Sequence, residues 1–247
     1  MDLSNQNAWL NINKPLGISS ARVVSIVKRH SKAKKVGHGG TLDVMASGVL
    51  PVALNRATKT SDAMMAERKK YSFQIKWGAF TDSDDSEGNI VEESSARPNS
   101  AQIGQILLSF MGKTSQMPSK FSALKVNGKR AYELARKGVE FELKPREITV
   151  YSLKFTKNTS DSADFEVECS KGTYVRSLAR DICQKLSVCG HVSKLARLAV
   201  GDFTIENAIN LEKFCNIVDN SLLHEAKIEE VSWIKNVNSA CNINKDC

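Results

Sequence analysis

Gly37-His-Gly-Gly-Thr-Leu-Asp43-Val-Met-Ala-Ser-Gly-Val-Leu-Pro51 places four glycines in fifteen residues around one histidine and one carboxylate. Glycine lets a backbone approach a ligand closely, while Leu42, Val44 and Met45 keep Asp43 away from bulk water. An aspartate so placed is costly unless it is paired. That is also the setting a nucleophilic or electrostatic carboxylate needs. The plainer reading of the same residues is a helix cap or an Asx turn, the usual work of Asp beside Gly. Spacing alone leaves both readings open.

Upstream of this stretch, Trp9-Leu-Asn-Ile-Asn13 alternates like a short strand, and Lys14-Pro-Leu-Gly17 breaks it with turn residues. Ser19 or Ser20 is expected to cap a helix reaching about His30, with Val23, Val24, Ile26 and Val27 inward and a basic end of Lys28, Arg29, Lys32, Lys34 and Lys35. Downstream, a helix is predicted from Thr58 to about Arg68. It leads into the clearest strand of the chain, where Tyr71, Phe73, Ile75 and Trp77 alternate with polar residues. Asn99 or Ser100 opens a helix whose stripe is Ile103, Ile106, Leu107, Phe110 and Met111, ended by Gly112. A short helix over Arg130–Lys137 closes on Gly138, and three strands are predicted at Val139–Leu143, Ile148–Phe155 and Phe165–Cys169. A further helix begins near Tyr174 and turns Val175, Leu178, Ile182 and Leu186 inward, and the 44 residues after Phe203 read as weakly helical. Strands and helices are neither segregated nor in βαβ order. The expected class is therefore α+β around a mixed, largely antiparallel sheet.

The chain of 247 residues, 41% apolar, can build a core without disulfide or metal staples, and it carries a net charge of +8. Residues 11–40 hold seven Lys/Arg and no carboxylate, 113–146 hold nine against three, and 171–198 hold six against one. Convergent basic blocks are the footprint of a polyanionic partner; the plainer reading is three solvated faces. Residues 81–100 invert the balance, with six acids against one Arg. In that acidic segment Gly88 falls one place late for an EF-hand counted from Asp82, so a turn is expected. The six cysteines never approach CxxC spacing and read as free thiols of a reducing compartment. No basic leader followed by an apolar run and no membrane-length apolar stretch is found in the sequence, so a cytoplasmic protein without a membrane partner is expected. No self-association stripe stands out, and a monomer is expected.

Gly172-Thr-Tyr174-Val-Arg176-Ser opens a helix directly after a strand, which puts Arg176 in the first helical turn. A cation there is disfavoured by the helix dipole and should have an anionic partner elsewhere. Asp43 is the candidate, since a bidentate guanidinium would keep a shielded carboxylate ionised.

Taken together, His38-Gly-Gly-Thr-Leu-Asp43, Ala46-Ser-Gly-Val-Leu-Pro51, Lys69-Lys-Tyr71, Thr81-Asp-Ser-Asp-Asp85-Ser-Glu-Gly88, Phe121-Ser-Ala-Leu-Lys-Val-Asn-Gly128-Lys-Arg-Ala-Tyr132 and Gly172-Thr-Tyr174-Val-Arg176-Ser closely resemble the bacterial tRNA pseudouridine-55 synthases of the TruB type. The resemblance is collinear from about Trp9 to Phe203. It implies a pseudouridine synthase fold over residues 1–206, with a mobile basic thumb at about 115–146. It implies that Asp43 is the catalytic aspartate, that Tyr71 stacks on the target base, and that Arg176 pairs with Asp43. Tyr174 and Leu195 would line the pocket and His38 would help hold the RNA loop, while Lys14-Pro15 and Asp85 match positions that look structural. The implied partner is the T-arm stem-loop of tRNA, and neither cofactor nor metal is implied.

Val44 stands where the family usually has Pro, releasing φ after Asp43, and Met117-Pro-Ser-Lys-Phe121 departs from a Pro-Pro and a Tyr. Residues 207–247 look too short for the family's C-terminal RNA-binding module and are expected to be a short helical segment. The reaction would break C1′–N1, turn the bound base and join C1′ to C5, on a nucleotide flipped from its stack. A carboxylate at C1′ can stabilise charge, attack, or assist proton loss at C2′, and the sequence does not decide among these routes. A noncatalytic RNA-binding protein or tRNA-folding chaperone is the alternative; a metal-dependent nuclease is a third.

Overall fold

The alternation around Trp9 becomes strand β1 (Ala8–Lys14), and Ser19 caps helix α1 (Ser20–Ser31) by accepting from the Arg22 amide. The computed structural model describes residues 1–219 and 232–237, in two compact units: Met1–Lys69 with the described part of Ala196–Cys247, and Lys70–Leu195. The first unit continues with β2 (Val36–His38), β3 (Ala46–Leu54) and α2 (Ser61–Ala66). The second holds β4 (Lys69–Trp77) from Lys70 on, β5 (Ala79–Thr81), β6 (Ile90–Glu93), α3 (Ser100–Leu107), β7 (Gly112–Gln116), β8 (Lys125–Val126), β9 (Lys129–Arg130) and α4 (Ala131–Arg136). β10 (Arg146–Asn158), β11 (Ser162–Cys169), α5 (Val175–Lys185) and the first half of β12 (Gly190–Val200) complete it. The chain re-enters the first unit with the rest of β12, β13 (Phe203–Thr204), β14 (Ile209–Asn210), α6 (Leu211–Asp219) and β15 (Ile234–Asn236).

In the first unit β1 pairs antiparallel with β3, from Trp9 opposite Ala53 to Lys14 opposite Gly48. β14 runs parallel to β1 and β15 antiparallel, while β2 lies antiparallel to β3. The sheet is covered on both faces. Leu10, Ile12, Leu50, Val52 and Leu54 meet Val23 and Val27 of α1 and Phe214 of α6, with Trp233 edge-on to Phe214 at 5.9 Å. Trp9, Val49 and Ala53 pack on the other side with Ala57, Val200 and Phe203. In the second unit β10 is antiparallel to β11 and to β7. Phe73 of β4 stacks on Phe165 of β11 at 5.1 Å, and Ile103 and Leu107 of α3 with Leu178 and Ile182 of α5 are buried. The architecture is thus the expected α+β class, a mixed, mostly antiparallel sheet flanked by helices.

Three local expectations are corrected. The helix expected over Thr58–Arg68 is a 3-10 segment, Asn55–Thr60, followed by the six residues of α2. Thr58, Thr60 and Ser61 each turn a hydroxyl back onto the carbonyl three residues earlier, at 2.7, 2.8 and 2.9 Å, which tightens the coil. The helix expected to reach Met111 stops at Leu107 and continues as 3-10 turn to Phe110, where the Ser109 hydroxyl donates to the Ile106 carbonyl. Val139–Leu143 alternates but finds no strand to pair with, and it runs as irregular chain. After Phe203 the described residues hold α6 and, beside it, β14 and β15, which join the first sheet through β1. Cys169, Cys183, Cys189 and Cys215 are free thiols, while Cys241 and Cys247 lie outside the described residues. Among the described residues no helix is long and apolar enough to cross a membrane.

The start of α3 is fixed by a reciprocal capping box, Asn99 Oδ1 accepting from the Gln102 amide and Gln102 Oε1 from the Asn99 amide, both at 2.9 Å. Asn99→Ala removes one arm and is expected to cost about 1 kcal/mol. Thermal unfolding should move down by roughly 2–4 °C for a chain of this size. An unchanged midpoint would mean the box contributes nothing.

Candidate active site

In the first unit the loop that carries Asp43 is fixed from below by three side chains. Ser20, at the start of α1, donates to the Leu42 carbonyl at 3.0 Å and accepts from the Leu42 amide at 2.9 Å, both buried. Lys14, at the end of β1 and fully buried, donates its ammonium to the carbonyls of Pro15, Ile18 and Val44 at 2.9, 2.8 and 3.4 Å. Arg197 of β12, 1% exposed, reaches Val49 through Nε at 2.7 Å, Thr41 through Nη1 at 3.3 Å and Gly40 through Nη2 at 3.1 Å. Gly48 has φ +107, and a Cβ there would collide with the Arg197 carbonyl oxygen, so only glycine lets β3 lie against the strand that carries this arginine.

The side chain of Asp43 stays half-buried above these anchors, and its carbonyl accepts from the Ala46 amide. Val44 is exposed, and its freed φ is answered locally: its carbonyl is held by both Lys14 and the Gly17 amide. His38 sits on the same loop, with Nδ1 accepting from the Gly40 amide at 3.3 Å. Burial first and the Arg197 charge second push its pKa below the ordinary 6.5, so the ring is neutral at pH 7.

In the second unit α5 begins at Val175 with Tyr174 as its N-cap residue. Gln116 at the end of β7 clamps the Tyr174 backbone, accepting from its amide at 2.9 Å and donating to its carbonyl at 3.1 Å. Arg176, 4% exposed, pairs through Nη1 with Asp85 Oδ2 at 3.2 Å and with the Ser83 carbonyl, and through Nη2 with the Phe121 carbonyl at 2.9 Å. Asp85 is itself fixed, Oδ1 accepting from the Ser83 hydroxyl at 2.6 Å and the Glu87 amide at 3.0 Å. Tyr71 is half-buried near the start of β4, on the face that buries Phe73, Ile75 and Trp77. Leu195 is buried on β12.

Thus the first unit groups Asp43 with His38, and the second groups Tyr174 with Arg176 and holds Tyr71 and Leu195 on β4 and β12. The expected need of Arg176 for an anion has one answer in Asp85, a residue read from the sequence only as structural. Arg197 and Ser20 were not singled out as site residues. The sequence signal was available for the arginine: it is a cation within the alternating apolar run Leu195–Val200. The acidic segment is a turn between β5 and β6, with Asp84 and Asp85 paired to Arg180 and Arg176 and Asp82 accepting from the Asn89 amide.

Comparison with known proteins gives the family. The TruB family pseudouridylate synthase (N terminal domain) profile matches residues 28–175, and the tRNA pseudouridylate synthase B C-terminal domain profile matches residues 176–233. A tRNA pseudouridine synthase B of Caulobacter sp. is 45% identical over 221 residues, covering 89% of this chain and 71% of the relative. Its counterpart from Rickettsia akari is 48% identical over 227 residues, 90% of this chain and 77% of that protein, and one from Wolbachia pipientis is 44% identical with 59% of its length covered. A solved Cbf5-Nop10-Gar1 complex superposes with a TM-score of 0.74 at 27% identity, covering 95% of this chain and 61% of that one. An H/ACA RNP bound to a substrate RNA containing 2'-deoxyuridine gives 0.71 at 25% identity, with the same coverage. The chain therefore spans about three fifths of those solved relatives. It belongs to the TruB family of pseudouridylate synthases, isomerases that turn uridine of tRNA into pseudouridine.

Proposed function

We propose that this chain converts uridine 55 in the T-arm loop of tRNA to pseudouridine, with Asp43 as the catalytic carboxylate. The observation that carries the reading is how the Asp43 loop is held: Ser20, Lys14 and Arg197 fix its main chain from the core, while the Asp43 side chain is left half-buried. A pre-set carboxylate needs no reorganisation when charge develops at C1′. In the reaction C1′–N1 breaks, the retained base turns, C1′ joins C5, the C5 proton leaves and N1 takes one up, so the product is an isomer and no electrons are exchanged.

In this reading Arg176 pairs with Asp43 as well as Asp85, and Tyr71 supplies the face on which the extruded base stacks, a contact worth ~1–3 kcal/mol. Tyr174 and Leu195 line the pocket, and His38 holds the RNA loop. Residues 1–206 form the catalytic domain, with 115–146 as the thumb that closes on the stem-loop and 207–247 as a short C-terminal segment. The enzyme works as a monomer in the cytoplasm, where tRNA is, and without a cofactor. All eight cations of residues 115–146 are exposed, which supports a phosphate-facing role for the thumb.

Incubation with a T-arm stem-loop and chemical detection of pseudouridine tests the proposal. Asp43→Asn keeps shape and removes charge; it should fold and bind tRNA but make no pseudouridine, and turnover by this variant would remove Asp43 from the mechanism. Arg176→Lys should also be poor, because a point charge replaces a planar fork. If the wild-type chain binds the stem-loop without modifying it, the noncatalytic RNA-binding reading takes its place.

Two further measurements follow from the charges. Lys125→Gln and Lys129→Gln, on the β8–β9 hairpin, should each flatten the dependence of log affinity on log salt by about 0.7–0.9 if the cation meets a phosphate. An unchanged slope would put the hairpin off the RNA. His38 binds its proton less readily folded than unfolded, so the stability it contributes is complete above 6.5 and drains away as pH falls below that value. His38→Asn should therefore narrow its stability gap to wild type between pH 7.5 and pH 5.5, roughly the span in which unperturbed histidine titrates. A constant gap would show that the ring does not titrate in this way.

A further inference from the structure

α5 presents two arginines one turn apart, and both grip the same pair of segments. Arg176 joins Asp85 of the acidic turn to the Phe121 carbonyl at the base of the thumb. Arg180 repeats the arrangement, donating through Nη1 to Asp84 Oδ2 at 3.1 Å and through Nη2 to the Met117 carbonyl at 2.8 Å. Residues four apart on a helix share a face, so the two forks lie side by side. Asp181 steadies the second fork, its Oδ1 accepting from Nε and Nη2 of Arg180 at 3.3 and 3.2 Å.

The backbone of the acidic turn is bent to allow this. Asp84 has φ +64, a left-handed conformation that costs a residue with a Cβ. In extended chain Asp84 and Asp85 would point to opposite faces; the left-handed residue breaks that alternation, and both carboxylates reach α5. Asp84 is buried enough that desolvation raises its pKa despite the Arg180 charge, so the pair is held in a shielded place. Arg180 itself is largely covered, with 21% of its side chain exposed.

We propose that Arg180 is a positioning residue for the pseudouridylation step. It touches no atom of the substrate. By tying Met117 to Asp84 it fixes the two segments whose neighbouring residues, Phe121 and Asp85, set where the Arg176 guanidinium lies. The inference rests on the reading of Arg176 as the partner of Asp43, and a displaced fork there misplaces the catalytic carboxylate.

The test uses the full chain in excess over a T-arm stem-loop, so that one turnover is followed, with wild type and Asp43→Asn alongside. Arg180→Lys keeps the charge and loses the fork; Asp84→Asn keeps the shape and loses the charge. Each should slow the single-turnover rate on the order of 10- to 100-fold, the scale of a small misplacement at a reacting centre, with stem-loop affinity unchanged. The double variant should be no slower than the slower single one, since both remove the same connection. Wild-type rates, a loss confined to affinity, or multiplied defects in the double variant would each overturn the proposal. Amide hydrogen exchange supplies a readout independent of activity: Arg180→Lys should speed exchange across both 83–87 and 117–122, and unchanged exchange would also overturn it. Should Arg180→Lys fail to fold, the nearly isosteric Asp84→Asn carries the same two measurements. If the wild-type chain makes no pseudouridine, the proposed function fails on its own account, and the exchange result still decides whether Arg180 fixes the two segments.

Discussion

The first unit depends on one full positive charge buried against carbonyl oxygens. Arg197 is the largest of the fully buried side chains there, and it is held by the main chain of Gly40, Thr41 and Val49. A buried guanidinium is expensive unless its donors are met; of its five donors two are met by the loop that bears Asp43 and one by Val49 of β3. The cost of burying the charge and the order of the loop are therefore one fact: the loop cannot loosen without stranding the arginine. Gly48 belongs to the same bargain, since any Cβ at its place would meet the Arg197 backbone. His38 is pushed toward its neutral form by the same charge, after burial itself.

The second unit solves its problem with the same chemistry in a different geometry. Arg176 extends from the first turn of α5, where the helix dipole disfavours cations, and Arg180 from the next turn; each is met by a carboxylate of one turn and a carbonyl of another segment. The gain from those partners outweighs the dipole, whose influence is of order 0.3–1 kcal/mol at such a site. Charge-assisted bonds of about 1.5–3 kcal/mol each are enough to decide it. The arginines thus connect segments far apart in sequence, which a hydrophobic residue of equal size could fill but not orient.

Much of this was legible in the residues. The alternation Tyr71, Phe73, Ile75, Trp77 gave β4, Ser19 gave the start of α1, and of the glycine-rich stretch around Asp43 residues 39–45 form a loop between β2 and β3, while its two ends are strand. The need of Arg176 for an anion was legible too, because it followed from the dipole alone; that Asp85 supplies one was not, since it is far away in sequence. Side chains that bond to their own backbone escaped a periodic reading. Thr58, Thr60 and Ser61 look like ordinary helix residues until their hydroxyls compete for the carbonyls. Val139–Leu143 has the period of a strand, but a strand exists only where a partner offers its edge, and period says nothing of partners. Arg197 was missed for the opposite reason: its charge placed it by default on the surface.

That default also distorts the charge map on which an RNA partner was first argued. Of the seven cations in residues 11–40, Lys14 is buried and the other six are exposed; in residues 171–198, Arg176 and Arg197 are buried and Arg180 is largely covered. Half of the third basic block therefore works inward, on carbonyls and carboxylates, while Lys171, Lys185 and Lys194 remain exposed. The exposed cations of the three blocks lie mostly at the end of α1 and in residues 113–146, where a long flexible stem and full hydration suit a contact that must form and release. A protein that builds its site from buried guanidiniums needs its carbonyls, and not its substrate's phosphates, to satisfy them; otherwise the site would take shape only when RNA arrived. Keeping the two sets of cations apart lets the Asp43 loop be ordered before binding while affinity stays tunable by salt.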